Sequence, residues 1–345
     1  GGQDAYLDLN HHGDRDIADG LVDLAVNVRV TEPPQWLRDA ITSTEHDWAR
    51  YPDATPGREA LAAMHGVPTD MVLPTAGAAE AFPLVSALEP CHAVVVHPQF
   101  TEPEAALRVA GINVARHILK ASDGFALDPA LVPDNADLVI VGNPTNPTGR
   151  LHPATDLLAL RRPGRILVID EAFMDATDES QSLIGCDMDG LLVLRSLTKT
   201  YGLAGIRAGY VIGDRRLIAR LADHQTPWSV STPAIAAMIA CTCEEARRFQ
   251  TKLCDDIPAA RADLVERLTV LGLSVVTSEA PFVLVDTSSL SGKSIRQPLA
   301  KRGFAVRRGE TFPGLGPTWI RLAVRDSNIH AELARALSDL TAHRN

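Results

Sequence analysis

The chain comprises 345 residues, 46% of them hydrophobic and 22% charged, with a formal net charge of −10. Such a length accommodates two domains, and such a composition belongs to globular rather than disordered proteins. The acidic balance argues against a nucleic-acid or anionic-membrane partner, which would need a basic surface, and no apolar run approaches the ~20 residues of a membrane helix.

The first ten residues show no basic region followed by an apolar core, so no secretory signal is expected. Residues 7–15, LDLNHHGDR, are polar and irregular. Leu21–Val30 alternates like a strand, Pro33 and Pro34 break the chain, and a helix begins near Trp36. Arg50–Asp53 is a turn before the helical Arg58–His65. From Met71 onward strand and helix alternate. Val72–Leu73 leads to Gly77, Ala78 and Ala79, small residues opening a helix to Leu88 whose free N–H groups suit an anion. Strand Ala93–Val96 precedes Phe100 and a helix over Pro103–Ala110; strand Leu138–Val141 ends in a rigid loop with two Asn-Pro pairs. Strands Arg165–Ile169, Leu191–Leu194 and Gly209–Ile212 follow, then a helix over Arg215–His224.

Beyond Ser229 the texture changes. Helices are predicted over Pro233–Leu253, Pro258–Leu271, Gly292–Arg302 and Ile329–Thr341. Short strands are predicted over Leu273–Val276, Phe282–Asp286, Phe304–Arg307 and Trp319–Val324. The pattern predicts an α/β fold, a mainly parallel central sheet with helices on both faces, plus a smaller α+β part. The large domain is expected at residues 36–230, and the small one is expected from residues 1–35 with 231–345.

The chemistry concentrates in Gly190–Tyr210, GLLVLRSLTKTYGLAGIRAGY. Buried parallel strands present their carboxyl ends to ligands. Here that end carries Lys199, flanked by the hydroxyls of Ser196 and Thr198 and followed by Arg207 among glycines. Hydroxyls and guanidinium suit a phosphate, and a lysine amine attacks a carbonyl to give a Schiff base. The bland alternative is a surface lysine after a strand. Asp170 ends a wholly apolar strand, where an unpaired carboxylate is costly. It either meets a cationic N–H or caps the next helix. The five cysteines (Cys91, Cys186, Cys241, Cys243, Cys254) are odd in number and irregularly spaced, which reads as reduced thiols in the cytoplasm. Neither they nor the eleven histidines show a metal-ligand spacing, so no metal is expected.

Together NPTNPTG at Asn143–Gly149, DEAF at Asp170–Phe173 and SLTKTYGLAGIRAGY at Ser196–Tyr210 resemble the class I/II aminotransferase family of fold type I, whose cofactor is pyridoxal 5′-phosphate (PLP). The resemblance implies backbone donors from Gly77 and Ala78 to the cofactor phosphate, beside Ser196, Thr198 and Arg207. It implies a ring stacked on Phe100, its phenolic oxygen bonded by Asn146, its nitrogen paired with Asp170 and its carbonyl taken by Lys199. Tyr51, in RYPD, resembles a tyrosine that reaches the phosphate from a neighbouring subunit, which implies a homodimer.

Within the family the pattern is similar to two groups acting on phosphorylated amino compounds, the L-threonine-O-3-phosphate decarboxylases of cobalamin synthesis and the histidinol-phosphate aminotransferases. Similarity to the first runs through HG at His12, RYPDA at Arg50–Ala54, DEAF, LRSLTK at Leu194–Lys199 and PWSV at Pro227–Val230. Phe173, where many relatives have tyrosine, is shared with the decarboxylases and sets decarboxylation slightly ahead of amino transfer to 2-oxoglutarate. A non-catalytic module of the same fold is the remote alternative. Arg307 and Arg321 match paired arginines that grip substrate phosphate or carboxylate, with His12 and Asn27 nearby. Two departures stand out: Asn27 is followed by Val28-Arg29 rather than Asn-Pro, and GAAE replaces a more polar phosphate loop.

Overall fold

The computed structural model describes residues 20–28 and 30–342. The alternation over 21–30 yields a strand of two residues only, β1 (Val22–Asp23). Asp23 ends it, because its Oδ1 accepts the N–H groups of Ala25 and Val26 at 2.8 and 3.0 Å and turns the chain. Helix α1 (Gln35–Thr42) starts directly after Pro33-Pro34, and α2 (Thr55–His65) follows the turn that contains Tyr51.

Strand and helix then alternate as expected: β2 (Val72–Ala76), α3 (Ala81–Ser86), β3 (Ala93–His97), α4 (Glu102–Val109), β4 (Val114–Ile118), β5 (Leu138–Gly142), α5 (Ala154–Leu158), β6 (Ile166–Asp170), β7 (Leu191–Ser196), α6 (Thr198–Tyr201), β8 (Ala208–Gly213) and α7 (Arg215–His224). The seven strands lie in the order β2-β8-β7-β6-β5-β3-β4. Strand β8 is antiparallel to both neighbours, and the other pairings are parallel. Strand β4 was not expected from the sequence. Its VARHI places Arg116 and His117 in an edge strand that is only half-buried, so no apolar run marks it.

Successive side chains of a strand point to opposite faces, and both faces are covered. Val139, Val141, Ile169 and Val193 pack with residues of α1, α2 and the helix Thr232–Ala240, denoted α8; Ile140, Val168, Leu192 and Leu194 pack with α3, α4 and α7 residues. Burial on both faces explains why these strands read as unbroken apolar runs.

The long helical region after 232 divides earlier than Pro258 suggests. Helix α9 (Glu244–Val270) passes through Pro258, and the break falls at 241–243. There the Thr242 hydroxyl donates to Ile239 O at 2.7 Å, and Glu244 and Glu245 place negative charge at the positive end of α9. Buried Ile257, Leu264 and Leu268 hold α9 by packing, which outweighs the hydrogen bond that Pro258 cannot make.

The remaining elements are β9 (Ser274–Val275), β10 (Phe282–Asp286), α10 (Arg296–Lys301), β11 (Phe304–Ala305), β12 (Arg307–Arg308), β13 (Trp319–Ala323) and α11 (Ser327–Ala342). The expected strand over 304–307 splits at Val306: β11 pairs in parallel with β1, whereas β12 joins an antiparallel sheet ordered β12-β13-β10-β9. Leu24, Leu264, Val283, Val285, Ile320, Leu322 and Leu333 form a separate apolar core beneath that sheet. Among the described residues no helix is long and apolar enough to cross a membrane.

Candidate active site

At the carboxyl ends of β5, β6 and β7 lies a cavity of about 380 Å³. Asn146, Asp170, Ser196, Thr198 and Lys199 line it from those strand ends; Ala78, Phe100 and Arg207 line it from neighbouring turns, and Asn27, Arg307 and Arg321 from the second sheet and its flank. Fold topology has thus gathered residues from Asn27 to Arg321, almost the full span of the chain, into one chamber.

Asp170 is the last residue of β6. Its Oδ1 accepts the Ala172 N–H at 3.0 Å in a local turn while the carboxylate lines the cavity; it does not cap the next helical turn, Met174–Ala176, which starts after Phe173 with no side-chain cap. Burial pushes its pKa up to about 6, against the Ala172 hydrogen bond and the nearby Lys199 charge. The next residue, Glu171, points the other way, to buried Arg195, Ser182 and the Leu183 N–H. Lys199 lies in the one-turn helix α6, preceded by Ser196, whose Oγ accepts the Thr198 N–H at 3.1 Å.

The turn after β2 is shaped for a close approach. Gly77 has φ +72°, and a Cβ built on it would lie 2.7 Å from Arg207 Nη2. Glycine therefore lets the guanidinium lie against the Gly77–Ala78 backbone. A Cβ on Gly209 would lie 2.5 Å from Ala78 N, so β8 also supports that turn only as glycine. Arg207 itself takes φ +62°, a left-handed conformation costing an arginine about 1–2 kcal/mol. Strain of this kind persists where the surroundings hold a residue for function.

Arg307 and Arg321 face each other across the β12–β13 pairing, each under 5% exposed. Arg307 donates to the Thr311 hydroxyl and lies 4.5 Å over the Phe312 ring. Arg321 donates to Asn146 Oδ1 and to Ala25 O, with its guanidinium 5.5 Å from the Phe282 ring centre. Phe173 packs edge-on against that same Phe282, centroids 5.0 Å apart. Asn27 is buried, and its Oδ1 has no hydrogen-bond partner among the described residues.

Residues 19–338 match the family described as aminotransferase class I and II. The chain belongs to that family. A histidinol-phosphate aminotransferase of Mycobacterium tuberculosis is 46% identical over 319 residues, 91% of this chain and 86% of that protein. A threonine-phosphate decarboxylase of Pseudomonas aeruginosa is 35% identical over 300 residues, 81% and 84% of the two chains. The solved histidinol-phosphate aminotransferase from Clostridium acetobutylicum superposes with a TM-score of 0.85 at 25% identity, covering 94% of this chain and all of that one. This class I/II chain has the fold-type I architecture and is an enzyme, an aminotransferase or a decarboxylase.

Two expected members of the site stand apart. Tyr51 does not line this cavity: it is 77% exposed and stacks on Trp228 with ring centres 4.4 Å apart. His12 lies outside the described residues. Conversely, Gln99, Thr311, Phe312 and the Ala25 carbonyl were not expected from the sequence. Gln99 lines the cavity and donates to Ile140 O, and its place beside Phe100 after an apolar strand was the available signal. Thr311, Phe312 and Ala25 act through the arginines they hold, and no local pattern marks them. Among the described residues no group of three or more His, Cys, Asp or Glu is arranged to hold a metal ion.

Proposed function

We propose that this chain is a PLP-dependent enzyme acting on a phosphorylated amino compound. The observation that carries the reading is the pair Arg307–Arg321, two buried guanidinium groups side by side in the same cavity as Lys199 and Asp170. A dianionic phosphate matches two forked donors better than a single carboxylate does.

The residues fit the cofactor. Buried Asp170, whose proton affinity is raised, is suited to a cationic ring N–H. The glycine-only turn at Gly77, with Ala78, Ser196, Thr198 and Arg207, is a cradle of donors for its phosphate. Phe100 offers a stacking face and Asn146 an amide, whose Oδ1 is already taken by Arg321, so that its Nδ2 is left for the ring oxygen. When bound, PLP supplies an electron sink for a bond broken at the substrate carbon that bears the amino group. Lys199 would hold the cofactor through its carbonyl, and its amine, once displaced by the substrate amine, is placed to move a proton at that carbon. Asp170 holds a proton on the ring nitrogen, and Arg307 and Arg321 orient the substrate. Asn27 Oδ1 is an acceptor for a substrate N–H or O–H.

Amino transfer from a histidinol-phosphate-like amine is the first reading, supported by the 46% identity to proteins of that name against 35% for the decarboxylase. Decarboxylation of L-threonine O-3-phosphate is the second, favoured by Phe173, which lines the cavity at the position where the resemblance to many relatives implies tyrosine. Incubation with histidinol phosphate and 2-oxoglutarate is expected to release glutamate. Carbon dioxide from L-threonine O-3-phosphate without 2-oxoglutarate would establish the second reading, and neither product would refute both.

The separate cores support two parts, expected at 36–230 and at 1–35 with 231–345, but Ala234, Ile235 and Met238 of α8 pack in the large core, so the C-terminal boundary falls after α8 rather than at 230. The exposed Tyr51–Trp228 stack supports a homodimer in which Tyr51 serves the partner's site. Five unbridged cysteines support a reducing, cytoplasmic setting.

A further inference from the structure

Behind the segment that carries Lys199 lies a second cavity, of about 430 Å³, which shares Ser196 with the first. Its wall includes Asp175, in the 3₁₀ turn Met174–Ala176 that follows the Asp170 strand end. Asp175 Oδ2 accepts the hydroxyl of buried Thr200 at 2.7 Å, and Thr200 is the residue after Lys199 in α6. From the other side, Gln250 Nε2 of α9 donates to Asp175 O at 3.2 Å and to Glu179 Oε2 at 3.1 Å. Asp175 thus ties three elements together: the turn after β6, the lysine helix and α9, which runs on toward the sheet bearing the two arginines.

Helix α6 has only four residues. One turn does not offset its own nucleation cost, so tertiary anchors decide where it sits. A further side-chain anchor of α6 is the Tyr201 hydroxyl, which donates to Ala246 O at a long 3.4 Å. We propose that Asp175 and Thr200 are positioning residues for Lys199: their hydrogen bond fixes α6, and with it the reach of the lysine amine into the active-site cavity.

This inference rests on the reading of Lys199 as the cofactor lysine. The charged and titratable groups facing Asp175 are Arg195 from β7, Glu179 from its own loop, Tyr201 of α6, Tyr210 of β8, and the thiols of Cys241 and Cys254. Burial pushes the Asp175 pKa up to about 6, opposed by the Thr200 hydrogen bond. Losing the Thr200 donor lets burial raise Asp175 further and removes its grip on α6.

The test compares T200V, which keeps the shape but loses the donor, with T200S, which keeps the donor and loses the methyl group. Misplacing a reacting group by about 1 Å costs up to ~10²-fold in rate. T200V is expected to lower kcat roughly tenfold or more, leave KM within about twofold because the arginine grip is untouched, and shift the pH midpoint of the bound cofactor's absorbance. T200S is expected to restore both. D175A, which removes the acceptor instead, is expected to repeat the T200V pattern and stands in for it if T200V does not fold. D175N, whose amide oxygen still accepts from Thr200, is expected to keep most of the rate. Unchanged kcat and absorbance midpoint in T200V, or equal loss in T200V and T200S, would overturn the proposal. Borohydride reduction of the parent holoenzyme keeps the underlying reading separate: a label on a lysine other than Lys199 would defeat the site assignment, whatever T200V does.

Discussion

Among single residues, Asp170 has two measurable properties. If its charge supports the cofactor ring, Asp170→Asn removes a preorganised electrostatic interaction and should lower kcat by about 10²-fold or more. Steady-state kinetics at saturating PLP checks this, and a near-normal rate would reduce Asp170 to its turn bond with the Ala172 N–H. The second property is linkage. Without cofactor, burial raises Asp170 from an ordinary 3.8 to about 6, so the folded state binds its proton more tightly than the unfolded state does. Its contribution to stability is present below the unfolded value and lost as pH rises through about 6. The melting temperature of the apoprotein should therefore fall between about pH 4 and pH 7 by more in the parent than in Asp170→Asn, measured by calorimetry. Asp175, raised to the same value, adds to the slope in both proteins.

Among the elements, the site is set by how backbones meet. Gly209 of β8 lies against the Gly77–Ala78 turn and Arg195 O, where a Cβ would stand 2.5 to 3.0 Å from backbone atoms. No side-chain rotation relieves such crowding. Gly209→Ala should push the phosphate turn off β8 and weaken PLP affinity by roughly tenfold or more, as read by equilibrium dialysis or absorbance titration, while far-ultraviolet circular dichroism stays native. Strands β12 and β13 make the second element-level device. Removing a charged, hydrogen-bonded grip from a closed site costs ~2–5 kcal/mol, so Arg307→Ala or Arg321→Ala should lower kcat/KM for a phosphorylated substrate by roughly 30-fold or more. The unphosphorylated analogue should be a poor substrate for the parent and little worsened. Equal losses on both substrates would point to a carboxylate clamp. Lysine should not rescue either position, since it lacks the forked donors that also bind Thr311 or Asn146.

For the molecule as a whole, the Tyr51–Trp228 stack is an apolar surface open to solvent in the single chain. Trp228 is 60% exposed and Tyr51 77%, and Trp48, three residues before Tyr51, is 56% exposed. If a second copy covers the stack, Trp228→Glu places a charge in a desolvated interface. The variant should sediment as a monomer where the parent sediments as a dimer. Loss of activity with the dimer intact would instead assign Trp228 to the site.

Strand–helix alternation, the family and the presence of polar groups at the strand ends were all legible in the chain before any folding was considered. Strands buried on both faces must be apolar throughout, so Leu138–Val141 and Leu191–Leu194 show themselves without any partner in view. Asp170 follows such a run directly, and Asn146 and Lys199 come five residues after the last apolar residue of theirs, in segments where polarity is costly unless used. Edge strand β4 was invisible because an edge tolerates arginine and histidine. The short β1 was overestimated because the Asp23 side chain, rather than alternation, decides where the strand stops. Pro258 misplaced a helix boundary because packing along α9 outweighs one missing hydrogen bond. Folding in three dimensions was needed to set Arg307 opposite Arg321, to let Arg321 hold Asn146 across 175 positions of sequence, and to lean Thr200 on Asp175. Each of these pairings depends on strand register and on how far one sheet lies from another. Register and spacing are properties of packed surfaces, set by side chains remote in sequence, and no local pattern encodes them.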